Sequence, residues 1–226
     1  MMRMFSGGAK VVPLSNYQDK MRFPILNEVE AYWEGLRSGR SMPARSDVDP
    51  RGLERALEFA FVLERVAPNV ARFRLAGQHL TALMGMDVRG MPLSALFAPS
   101  GRELLGDQIE NLFDTPQTIR LTLSGEGGLG KPALDAGMLL LPLHNEVGEV
   151  NRALGCLISE GQIGNAPRRF VIDNVQSKPI EVHRVSAPVQ AAAGFAETAA
   201  SFDAKGSNEK GPDAKRPALR LVSSND

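Results

Sequence analysis

The chain has 226 residues, enough for one domain with appendages or two small domains, and 43% are apolar, enough for a core. Its 26 Lys and Arg balance its 26 Asp and Glu, so the basic excess of a general nucleic-acid binder is missing. One cysteine, Cys156, excludes an intrachain disulfide and a cysteine-rich zinc site, and no run reaches the ~20 apolar residues of a membrane span. With no signal-peptide core near the N-terminus, these features point to a reducing compartment, the cytoplasm, and to no membrane insertion.

Residues 1–21 read as a flexible N-terminus. The first clear element is FPILNEVEAYWEGLRSGR, an amphipathic helix in which Ile25, Val29, Tyr32 and Leu36 recur at helical spacing beside Leu26 and Trp33. Pro24 suits its first turn, Arg37 and Arg40 suit the C-terminal end of its dipole, and Gly39 can end it. The Asp47-x-Asp49 pair follows SMPARS, which is no strand, so it lacks the setting of a metal-binding acidic pair. Asp49 before Pro50 reads instead as a helix N-cap. Residues 22–57 are therefore expected to be flanking helices.

FAFVLERV (59–66) and VARFRLA (70–76) read as strands joined at Pro68-Asn69, the second turning Ala71, Phe73 and Leu75 inward. QHLTALMG is a short helix, and MDVRGMPLSALF is irregular or short-helical. In PSGRELLGDQIENLF, Ser100 and Glu103 suggest a capping box, with Leu105, Ile109 and Leu112 as the buried stripe. Three more strands follow: QTIRLTLS, ALDAGMLLLPL and NRALGCLISE, the last two joined by a polar loop with Gly148. Residues 166–226 read as a mostly disordered tail, and composition shifts sharply to Ala, Ser, Gly, Lys and Asp near residue 186. Within it, Leu219 and Leu221 of RPALRLV sit among basic residues, either a solvated end or a short docking motif.

SGEGGLGKP imitates a phosphate-binding loop: Gly125, Gly130 and Lys131 fit, but Pro132 replaces the hydroxyl residue that would ligate Mg²⁺. A phosphate loop also needs a helix after it, to supply backbone N–H donors. Here a strand-like run follows, so the segment reads as a hairpin turn. His79, His144 and His183 have no metal-ligand spacing, and Cys156 within a strand reads as a small buried hydrophobe. Trp33 reads as a core anchor more readily than as a ligand platform. Arg72, Arg74 and Arg120 could share one sheet face, either solvated or facing an acidic partner.

The order helix, two strands, short helices, longer helix, three strands resembles a PAS domain. The stretches YWEGLRSGRSMPARSDVDPRGL, FVLERV, RFRLAG, LTALMGMDVRGMPLSALF and LLLPL are similar to a family of short single-domain PAS proteins of alphaproteobacteria, over about residues 22–165. The resemblance implies an α+β fold with a five-stranded antiparallel sheet, helices on one face and the core at 58–165. It implies no catalytic residue and no attached output domain. The cysteine motif of flavin-photoadduct PAS domains and the long-helix histidine of haem types are both missing, so no cofactor is identified and neither haem nor flavin is expected. The chain is thus expected to be a non-enzymatic regulator of two-component or related signalling. Its partner would be a signalling protein such as a sensor histidine kinase, or a second copy in a homodimer; the alternative is a small-molecule sensor whose ligand modulates partner binding. The expected interaction residues are Tyr32, Trp33, Leu36, Arg72, Arg74, Arg120, Leu219 and Leu221.

Overall fold

Six strands form one antiparallel sheet in a computed structural model that describes residues 22–180. They are β1 (Ala60–Ala67), β2 (Val70–Ala76), β3 (Gln117–Gly125), β4 (Asp135–His144), β5 (Val150–Glu160) and β6 (Phe170–Pro179), in spatial order β2-β1-β5-β4-β3-β6. Three α-helices accompany them among the described residues: α1 (Pro24–Arg37), α2 (Gln78–Met84) and α3 (Arg102–Asp114). Among the described residues no helix is long and apolar enough to cross a membrane.

Strand alternation sorts side chains onto two faces, each with its own core. On one face Phe61, Leu63, Phe73, Ile119, Leu121, Met138 and Leu140 meet α2, α3 and the turn around Leu93–Leu96. On the other, Leu139, Leu141, Leu143, Leu154 and Cys156 meet Leu26, Val29 and Trp33 of α1. The two-sided packing explains why β4 is continuously apolar: it is a central strand buried on both faces. The α+β sheet-and-helix fold implied by the resemblance is present.

Several details differ from the expectations. The sheet has six strands rather than five, because Phe170–Pro179, expected to belong to a disordered tail, pairs with β3 from Gly125↔Phe170 to Gln117↔Pro179. An edge strand is exposed along much of its length, so it has less need of apolar residues and its composition reads like a loop. The core therefore extends past residue 165, while the rest of the expected tail, with Leu219 and Leu221, lies outside the described residues, as do residues 1–21.

The core helices α2 and α3 pack on one face of the sheet as expected, and the open face, against β4 and β5, is covered by the flanking helix α1. Its buried stripe is Leu26, Val29 and Trp33, turned by about one residue from the expected Ile25, Val29, Tyr32 and Leu36. Gly137 permits the approach: a Cβ there would stand 2.6 Å from the Phe23 ring and 2.8 Å from Leu26. Beyond Asp49, the helix expected at Pro50 closes only as a 3₁₀ turn, Pro50–Leu53, with the Asp49 carboxylate accepting from the Arg51 N–H at 2.9 Å. Finally, Ser100 does not cap α3; a 3₁₀ turn at Pro99–Gly101 precedes it and delays its start to Arg102.

Candidate functional site

The glycine-rich segment is a connection between antiparallel strands. It follows the end of β3 at Gly125, turns where Lys131 N–H donates to the Gly128 carbonyl at 3.0 Å, and enters β4 at Asp135. No helix follows, so the phosphate-loop resemblance is one of letters only. The Lys131 ammonium donates to the Pro167 carbonyl at 2.8 Å.

Behind the loop lies a residue that the sequence did not single out. Arg168 is fully buried, and its guanidinium donates to the carbonyls of Pro132, at 2.8 Å, and Ile163. It ties the glycine-rich loop to the 161–168 segment that leads into β6. A buried arginine normally faces a carboxylate, and the expectation of a disordered tail concealed this one.

The expected interaction residues divide into structural and exposed sets. Trp33 is 0% exposed, and its indole N–H donates to the Pro142 carbonyl at 3.0 Å, so it anchors α1 to the chain's own sheet. The Tyr32 hydroxyl accepts from the Asp49 N–H at 2.8 Å and donates to the Asp49 carbonyl at 3.0 Å, holding the 49–52 turn. Leu36 is half-buried at the helix end.

Arg120 is buried. It bonds Asn27 at 2.8 Å and Glu30 at 2.9 Å, and Lys178 of β6 reaches the other Glu30 oxygen at 3.0 Å. Burial opposes ionisation of Glu30, but the Lys178 and Arg120 bonds and charges outweigh it and hold its carboxyl below the usual range. Arg72 and Arg74 are exposed on β2, which stands four strands from β3, roughly 19 Å at ordinary strand spacing. The three arginines therefore make no common stripe. Arg74 pairs with Glu64, which also takes Arg152 at 2.6 Å.

The remaining candidate chemistry is interior. Cys156 is 0% exposed, and burial pushes its thiol up to about 12, so it is a protonated core residue at neutral pH. His79 meets Ser159 at 3.1 Å and packs edge-on to Phe59, and burial holds its pKa below the ordinary value. Among the described residues, no three metal-ligating side chains gather.

What the fold does leave open is the part of the outer face that α1 does not cover. There the 45–57 segment and the β1–β2 pair enclose a cleft of about 560 Å³. Val62, Leu75, Leu154, Leu53 and Leu57 line it, with Arg45, Asp87 and Arg89 also contributing. Leu57 is 49% exposed and Leu75 51%, in contrast to the closed packing beneath α1.

Leu75 was expected to point inward with Ala71 and Phe73. The register with β1 runs Val62↔Leu75 and then Leu63↔Phe73, so Arg74 is an extra residue. Such a bulge reverses the alternation beyond it and turns Leu75 to the outer face. The VARFRLA sequence carries no mark of that bulge, which only pairing with β1 creates.

A family model described as PAS domain matches residues 21–158. No curated protein matches the chain. Among solved structures, one entitled "Structure of an RNA-binding Light-Oxygen-Voltage Receptor" is 20% identical, with a TM-score of 0.35, over 51% of this chain and 35% of that one. The chain thus spans about a third of that receptor's length.

Proposed function

This chain belongs to the PAS domain family, and from that premise we propose that it is a non-enzymatic signalling regulator acting through protein–protein contact at the outer face of its sheet. Family membership gives a signalling or sensory role. The finer reading rests on one observation: two leucines from different elements, Leu57 and Leu75, both half-exposed, line one cleft on the part of the outer face that α1 leaves open. Exposed apolar groups gathered in one place, with charge around them, are the usual composition of a binding surface. The buried guanidiniums of Arg120 and Arg168 are already engaged by Glu30, Asn27 and main-chain carbonyls, which fits a scaffold better than a reaction centre.

The partner class is a signalling protein, a sensor histidine kinase in the first instance. Cross-linking in the native host, with the tagged full chain, tests this against Leu57→Asp and Leu75→Asp. A carboxylate placed on the apolar floor should eliminate capture of the kinase while leaving the circular-dichroism melt unchanged. Equal capture by wild type and both variants would refute the surface, and capture without any signalling protein would refute the role.

A further inference from the structure

Several cations around the open part of the outer face are paired, while among the described residues Arg72 on β2 and Arg45 at the cleft are not. Arg89 is held by Asp87 at 2.5 and 2.7 Å, and Arg74 and Arg152 by Glu64. Arg45 lines the cleft, yet among the described residues its guanidinium makes no hydrogen bond or ion pair. Asp87 is already matched by Arg89, so the cleft carries one net positive charge beside an apolar floor.

We propose that this cleft binds a small amphipathic carboxylate, its hydrocarbon part on Val62, Leu75 and Leu154 and its carboxylate on Arg45. The floor gives an alkyl group an apolar surface to leave water against, and that term grows with the area removed. The guanidinium offers a paired, charge-assisted fork that a carboxylate fits and an ammonium does not. The volume, about 560 Å³, lies within the range of small-molecule sites. Residues of the 45–57 segment line the cleft together with Gly77, Thr81, Asp87 and Arg89.

The site lies on the outer face, away from the interior between helices and sheet, which Leu80, Leu93, Leu96 and Ile109 fill. Because the 45–57 segment joins α1 to β1, an occupant would fasten that connection to the sheet. It would also cover Leu57 and Leu75. Competition with a protein partner is the one consequence that rests on the reading above; ligand binding itself does not.

The test titrates the methyl-labelled full chain with dodecanoate and, separately, dodecyltrimethylammonium, both below their micelle thresholds, followed by NMR. Dodecanoate should saturate and shift the methyls of Leu57, Val62, Leu75 and Leu154, binding about tenfold or more tighter than the cation. Arg45→Gln should erase that preference with no change in melting temperature, because Arg45 has no partner in the described fold to lose. The proposal is overturned by shifts scattered over other surfaces, by no saturable binding, or by a preference that survives Arg45→Gln. Should dodecanoate fail while Leu75→Asp still loses the kinase, the ligand is refuted and the partner surface stands.

Discussion

Replacing Trp33 with alanine measures how firmly α1 belongs to the sheet. The side chain is wholly buried among Leu26, Val29, Leu141 and Leu143, and its indole N–H bonds the Pro142 carbonyl at 3.0 Å. Truncation removes a large apolar surface, leaves a void and strands that carbonyl; aromatic-to-alanine changes in packed cores cost ~3–5 kcal/mol. Against a total stability of ~5–15 kcal/mol, that is a large share. For a domain of this size the melting temperature should fall by roughly 10 °C. Trp33→Phe retains most of the apolar contact and loses the hydrogen bond, so it should cost about 1–2 kcal/mol. Urea and thermal melts followed by circular dichroism give both values, and size-exclusion runs report association. If Trp33→Ala stays within ~1 kcal/mol of wild type, the helix does not close the sheet. If it dissociates an oligomer while the monomer remains folded, the tryptophan serves a partner and the packing account is wrong.

Glu30 has a depressed folded pKa, so its contribution is present above its unfolded value, near 4.5, and is lost as pH falls through the folded one. The stability advantage of wild type over Glu30→Gln should hold at pH 7 and shrink below about pH 4.5 in a melting series; an advantage that grows on acidification would reverse the sign. Arg168→Ala leaves the Pro132 carbonyl unpaired and a void behind the loop, and should cost ~3 kcal/mol in urea melts, whereas a neutral result would mean that water replaces the guanidinium. Lys131→Ala should cost no more than ~1 kcal/mol, and ATP should leave the wild-type melting temperature unchanged; an ATP shift abolished in that variant would restore the phosphate-loop reading.

Local pattern carried the element types, because they depend on periodicity. The alternation in QTIRLTLS and the apolar run in β4 are physical requirements of strands with one face or two faces buried. The same residues decided the glycine-rich loop, since Pro132 and the strand after it exclude a phosphate cradle without any coordinates. Trp33 as a core anchor was equally legible, being the one tryptophan on an amphipathic helix. What sequence could not provide was anything set by pairing across distance. The placement of β6 depends on the free edge of β3, and polar edge strands resemble loops. Arg120 looks like any outward arginine until α1 brings Asn27 and Glu30 over it. The cleft depends most of all on tertiary structure, for a single extra residue at Arg74 sends Leu75 to the outer face, where Leu57 and an unpaired Arg45 line the same cleft. A one-residue register shift reverses a side chain without changing a letter of the strand, which is why the surface proposed to bind is the part the sequence concealed.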